Sequence, residues 1–210
     1  LAGAVQDYGR GLIIGDHATH GKGSVQSLLN LGEQLFRIPN APKMGELKIT
    51  MQQFYRPAGD STQQRGVLSD VELPSLTTHL DVGEADLDYP LPFDHVASQP
   101  FKRFDSVNPA VVNQLRQLSA SRCATSEDFK KILRNIARYK EQKAKKTVTL
   151  NETKFLKERA DLNADKEEEK TLEKLNDPNQ TNIERNFYLD EVFAILNDYM
   201  NMGQVAAKIE

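Results

Sequence analysis

The chain has 210 residues, about 1.4 domains at roughly 150 residues each, so one large or two small domains are expected. Hydrophobic residues make up 39% and charged residues 27%, with no Trp and a formal charge of -3; no run of eighteen apolar residues offers a helical membrane span, and no global basic field points to nucleic acid. A single cysteine, Cys123, excludes an internal disulfide framework and any CxxC metal site.

The chain opens Leu1-Ala2-Gly3-Ala4-Val5-Gln6, without an initiator Met, a basic n-region or an apolar signal stretch. Two readings stand side by side: a start inside a longer protein, or a mature terminus after signal cleavage. Residues 1–105 hold all but one of the twelve glycines and most of the prolines, whereas residues 106–210 hold Gly203 alone among glycines. Such a shift reads as a strand-and-loop half followed by a helical half, with an Asp- and Pro-rich connector around Leu80 to Phe104.

Leu1 to Tyr8 is Ala-rich and stops at Gly9, which suits the end of a helix closed by a left-handed glycine. Gly11 to Gly15 is an apolar run between glycines, expected as a short buried strand. Val25 to Leu31 is a second strand candidate, followed by a loop from Pro39 to Gly45. Glu46 to Tyr55 follows, with near-alternating Leu47, Ile49, Met51 and Phe54. Arg56 to Asp60 forms the turn, and Val67 to Leu73, closed by Pro74, the last strand.

In the second half Pro109 suits the first turn of a helix whose Val112, Leu115 and Leu118 share a face. Thr125 or Ser126 caps the next, which carries Phe129, Ile132, Leu133, Ile136 and Tyr139. Its other face, between Lys130 and Lys146, sets eight Lys or Arg against Glu141. A solvated face is the expected reading, because only Tyr139 interleaves the charges as a nucleic-acid stacking surface requires. Thr147 to Leu150 is β-branched enough for one strand. Asn151 to Asn176 reads as an exposed helix or helix pair with sparse Phe155, Leu156, Leu162, Leu172 and Leu175. Phe187, Leu189, Val192, Phe193, Ile195, Leu196 and Tyr199 mark an amphipathic terminal helix.

Chemistry-bearing patterns are few. Asp16, His17 and His20 lack the partners that would complete a metal shell, and no HExxH, GxSxG or Walker pattern occurs, so no metal and no cofactor is expected. Gly21-Lys22-Gly23-Ser24-Val25-Gln26 sets a lysine between two glycines just before a strand. Glycine flanks let a backbone turn tightly and approach a partner closely; a lysine in a surface hairpin is the plain alternative.

Gln6-Asp7-Tyr8-Gly9-Arg10-Gly11-Leu12-Ile13-Ile14-Gly15, then Gly21-Lys22-Gly23-Ser24-Val25-Gln26, then Phe54-Tyr55-Arg56-Pro57-Ala58-Gly59, Ser61-Thr62-Gln63 and Gly66-Val67-Leu68-Ser69-Asp70-Val71 follow in the order and spacing of the C-terminal processing peptidases. More narrowly the chain resembles the tail-specific proteases of the bacterial periplasm, whose larger members carry a helical C-terminal extension. The part from about Asp105 resembles that extension in helix content and in matches such as Ile136-Ala137-Arg138 and Tyr188-Leu189-Asp190-Glu191.

The resemblance implies an α+β chain: an incomplete α/β protease core with short strands over residues 1–80, a linker over 81–105 and a mainly α-helical domain over 106–210. It implies a serine endopeptidase with a Ser/Lys dyad, Lys22 as general base and Gln26 orienting it. On a regular strand positions four apart lie about 13 Å from each other, so that contact needs a bend, for which Gly23 is suited. A base lysine must also be desolvated, so a buried Lys22 is expected. Asp7 matches an acidic position of the subgroup; a structural role is its alternative, because an anionic neighbour would raise the lysine pKa. Asp16 to His20 departs from the family, which has a shorter, Pro-containing loop there. The family's nucleophilic serine and PDZ module lie before the Gln6-Asp7-Tyr8 segment, so the chain is expected to be inactive alone, with those upstream segments as partners. Expected substrates are proteins or peptides with unstructured C-terminal tails, in the periplasm. Nucleic acid is not an expected partner, membrane association belongs if anywhere to the parent protein, and unpaired strand edges make self-association of the isolated chain expected. A non-catalytic helical interaction module is the competing reading.

Overall fold

The computed structural model describes residues 1–36, 38, 40, 42–104, 106–147, 149–156, 159 and 185–207. The fold is α+β, in two compact units: Leu1–Glu72 with Leu80–Pro109, and Leu73–His79 with the chain from Ala110 onward. No described helix is long and apolar enough to cross a membrane.

The first unit opens with helix α1, Ala2–Asp7. Gly9 adopts φ +61°, and the amides of Gly9 and Arg10 return to the carbonyls of Gln6 and Val5, satisfying the last turn. A Cβ at Gly9 would stand 2.6 Å from the Phe104 carbonyl oxygen, so glycine is required there by packing as well as by φ. The Gly11 to Gly15 run yields only a two-residue, half-buried strand, β1 (Ile14–Gly15), instead of the expected buried one. The reason lies next door: the Ile13 amide is taken by the Asp70 carboxylate at 2.8 Å, and its carbonyl accepts both Asp70 N–H and Val71 N–H.

Strand β2, Ser24–Asn30, pairs antiparallel with β3, Glu46–Gln53. Between them lies helix α2, Leu31–Phe36, where sequence spacing suggests strand and loop. The Asn30 side-chain oxygen accepts the Glu33 amide at 3.3 Å, an N-cap hydrogen bond that ends the strand and starts the helix. Pro39, placed in the expected loop, lies outside the described residues. Arg56 to Asp60 is the expected turn, closed by Gly59 N–H to Arg56 O and Arg56 N–H to Asp60 O, both 2.8 Å. The Val67 to Leu73 run is a strand only at β4, Val71–Glu72, parallel to β1. Its earlier part is drawn aside: Thr19 bonds the Val67 backbone twice, and Ser69 N–H reaches His17 O.

Residues 80–104 complete this unit. Ser61 N–H bonds Asp94 O, Val96 N–H bonds Gly59 O and Phe104 N–H bonds Tyr8 O. Arg65 lies over the Phe93 ring at 3.6 Å, and Tyr8 meets Phe101 edge-on. Tyr55 OH donates to Asp94 at 2.7 Å; this bond raises the Tyr55 pKa and lowers that of Asp94.

The second unit contains α3 (Pro109–Thr125), α4 (Glu127–Ala144) and α5 (Phe187–Ala207). Leu73, Val112, Leu115, Cys123, Phe129, Ile132, Ile136 and Ile195 are buried, each large aliphatic or aromatic contributing roughly 1.5–3 kcal/mol. On α3 the buried face runs Val112, Leu115, Ser119, Cys123, while Leu118 is exposed; the pattern follows 3.6-residue periodicity more closely than steps of three. Leu133 is likewise exposed, next to buried Ile132. Phe129 packs edge-on against Phe187 and Tyr188, whose hydroxyl donates to Pro74 O at 2.8 Å. Arg122 holds buried Glu191 with Nε and Nη2 and bonds Asp198 through Nη1 at 2.7 Å. Thr147, Thr149 and Leu150 form no strand, and Leu150 is fully exposed. Residues 152–156 are helical; Leu162, Leu172 and Leu175 lie outside the described residues.

Candidate active site

The lysine between glycines is held by its backbone. Gly21 O accepts Gln64 N–H at 2.7 Å, Lys22 O accepts the Thr62 hydroxyl at 3.1 Å, and Gly23 N–H donates to the Gln63 side chain at 2.8 Å. Residues 21–23 thus lie flat against 61–64. The two glycines permit it: a Cβ at Gly21 would fall 2.7 Å from Gln64 O, and one at Gly23 would fall 2.6 Å from both Gln63 N and Ser61 Oγ. Gly21 also carries φ +89°, a conformation costly for other residues.

Lys22 meets Gln26 from just ahead of β2, and the irregularity beside this contact lies on the partner strand. Lys22 precedes β2, and between Val25 and Gln26 the register slips: Val25 faces Gln52 and Gln26 faces Thr50, leaving Met51 as the extra residue of a β-bulge. Lys22 Nζ donates to Gln26 Oε1 at 2.8 Å. Gln26 Nε2 points to Thr50 Oγ1 at 3.5 Å, across the strand pair, which turns the amide oxygen toward the lysine. Lys22 itself is exposed, where the base role led us to expect burial; the tight backbone packing covers its main chain and leaves the side chain in solvent.

Asp7 stands in a different set of contacts. Buried at the end of α1, its carboxylate pairs with the Arg56 guanidinium and accepts Ala58 N–H at 3.3 Å. Arg56 Nη2 also donates to Gln6 Oε1 at 3.0 Å, and Gln6 Nε2 donates to Asp70 Oδ1 at 2.9 Å. The chain of contacts Ala58, Asp7, Arg56, Gln6, Asp70, Ile13 therefore ties together three of the quoted motifs.

Two further residues adjoin the lysine loop. Gln63 is fully buried, and its Nε2 donates to Glu84 Oε1 at 2.9 Å; Glu84 is buried too, and its own amide bonds His20 O at 2.9 Å. Gln63 was visible in the Ser61-Thr62-Gln63 motif, whereas no spacing or composition signal marks Glu84. The longer Asp16 to His20 loop is anchored by Thr19 on Val67 and by His20 on Glu84. Among the described residues no group of three His, Cys, Asp or Glu could hold a metal ion.

Residues 1–73 match Peptidase family S41, and residues 77–201 match the C-terminal domain of tail specific protease. The chain is 33% identical over 153 residues to a tail-specific protease of Haemophilus influenzae, which covers 72% of this chain and 22% of that protein. It is 38% identical over 93 residues to a carboxy-terminal-processing protease of Bartonella bacilliformis, covering 41% of this chain and 19% of that one. The chain thus spans about a fifth of the length of these curated relatives.

Proposed function

Because the chain belongs to the tail-specific proteases, we propose that it is the C-terminal portion of a serine endopeptidase in which Lys22 is the general base of a Ser/Lys dyad. The supporting observation is the 2.8 Å contact from Lys22 Nζ to Gln26 Oε1 on a loop whose backbone is fixed at three consecutive residues. The nucleophilic serine and a PDZ module belong to parts of the protease outside these 210 residues, and the chain alone does not hydrolyse peptides.

In the reaction neutral Lys22 takes the serine hydroxyl proton as the oxygen attacks the scissile carbonyl. It then returns that proton to the departing amine nitrogen, leaving an acyl-enzyme that water hydrolyses. A protonated amine cannot accept the serine proton, so this role needs a neutral lysine, which removal from water favours. Lys22 is exposed in this chain, and the serine-bearing segment and the bound substrate supply that desolvation. Gln26, a neutral acceptor, orients the amine without adding a negative charge that would favour its protonated form. Asp7, paired with Arg56, serves as scaffold. The substrates are proteins with unstructured C-terminal tails, and the compartment is the bacterial periplasm.

The test uses the full-length protease and a reporter with an unstructured apolar tail. Lys22→Ala is expected to lower kcat/KM by about 10³-fold or more and Gln26→Ala by about 10–100-fold. A Lys22→Ala enzyme with undiminished cleavage sinks the base assignment. Tail cleavage by the purified 210-residue chain overturns the location of the serine.

A further inference from the structure

We propose that Gln63, clamped by Glu84, is a positioning residue for the Lys22 loop, so that the segment following the peptidase-matching region sets the geometry of the base. The inference rests on the Lys22 reading above. Gln63 has no exposed surface, and each polar end of its amide is engaged: Oε1 accepts Gly23 N–H at 2.8 Å, and Nε2 donates to Glu84 Oε1 at 2.9 Å. Its backbone N–H is fixed by Ser61 Oγ at 2.9 Å, and Ser61 is 2% exposed. The amide therefore cannot rotate without breaking two buried hydrogen bonds, and Gly23, next to the base, moves with it.

Glu84 closes the clamp from the other side. Its carboxylate holds Gln63, while its backbone N–H holds His20 O at 2.9 Å, two residues before Lys22. Lys22 is thus bracketed at His20 and at Gly23 by one acidic residue, directly and through one amide. That residue lies within 77–201, the region matching the C-terminal domain, and the loop lies within 1–73, the region matching the peptidase family. Glu84 thus lies past the residues that match the peptidase family yet within the same compact unit as Gln63 and the loop.

The chemistry of the pair supplies its own control in the full-length protease. Gln63→Glu leaves the Gly23 N–H an acceptor but sets two carboxylates against each other; adding Glu84→Gln restores a donor and acceptor in the opposite sense. We expect Gln63→Glu to lower kcat by about 10–100-fold per folded molecule, with KM changed less than about threefold and the acid limb of the pH–rate profile displaced. The double variant should recover to within about threefold of wild type, and hydrogen exchange at Gly21–Gly23, accelerated in the single variant, should slow again. If Gln63→Glu does not fold, Glu84→Ala is read the same way. Wild-type kcat and pH profile in the single variant, or a double variant no better than the single, overturns the proposal. Lys22→Ala in the same series separates the two failures: an inactive Lys22→Ala beside an unimpaired Gln63→Glu rejects only the positioning, and an active Lys22→Ala rejects the base itself.

Discussion

Replacing Arg122 by Ala isolates the ion cluster of the helical unit. Its guanidinium contacts Glu191 Oε1 and Oε2 at 3.0 Å through Nε, Oε1 at 2.9 Å through Nη2, and Asp198 at 2.7 Å through Nη1. The Glu191 side chain is 7% exposed, so its carboxylate has little access to water once the partner is gone. Breaking a buried pair costs about 3–5 kcal/mol; with the Arg122 side chain 34% exposed, water replaces part of the interaction and about 2–3 kcal/mol is expected. The Asp198 side chain, 23% exposed, should cost only about 1 kcal/mol on truncation to Ala. Arg122→Met with Glu191→Leu should recover most of the loss, because the buried carboxylate is removed with its partner and only the more exposed Asp198 loses its contact with Arg122. Urea unfolding followed by the reactivity of the Cys123 thiol reads this unit specifically, since Cys123 is the only cysteine and is 4% exposed. A loss below about 0.5 kcal/mol for Arg122→Ala, or a double variant as unstable as the single, would refute the reasoning.

Two further outcomes follow from the packing. Gly23→Ala places a Cβ 2.6 Å from Gln63 N and Ser61 Oγ, both in a buried segment, and should destabilise the first unit by about 1–3 kcal/mol in thermal melts. Gly45→Ala, with open space around it but φ +88°, should cost only about 1 kcal/mol. Burial, and next the charge of Glu191, raise the Cys123 pKa. Its share of stability is therefore complete below the unfolded thiol value and is lost as pH rises past it toward the folded value. Urea midpoints measured by circular dichroism should fall above about pH 8.5, and Cys123→Ala should flatten that fall.

Much of the site was legible because it is written in local chemistry. Gly21 and Gly23 announce a close backbone approach, and the neighbours of Gly23, Ser61 and Gln63, are motif residues too. The contact of Lys22 with Gln26 was less so, since positions four apart on a regular strand lie too far from each other, and alternation does not reveal that Lys22 stands ahead of the strand's start at Ser24. Glu84 was invisible: its contact lies 21 residues away on Gln63, and its own surroundings read only as an Asp- and Pro-rich connector. Strand lengths were overread at Gly11 to Gly15 and Val67 to Leu73, because Asp70 and Thr19 hydrogen-bond backbone groups that a ladder would use. Short helix α2 was missed because its start depends on one Asn30 cap. The helical half was the more readable, though the exposed Leu118 and Leu133 show that apolar identity alone does not fix the buried face.

The interior of the first unit has a thermodynamic consequence. Among its described residues the buried apolar side chains are Val67 and Val71, while Asp7, Ser24, Ser61, Gln63 and Glu84 are buried polar ones. Exposing apolar surface raises heat capacity and exposing polar surface lowers it, so the increments of this unit partly cancel. Its stability should vary little with temperature, with a shallow dome and weak cold lability, whereas the helical unit around Leu115, Phe129 and Ile195 should follow a steeper curve. The Lys22 loop is thereby seated on a support whose strength should change little as the temperature changes.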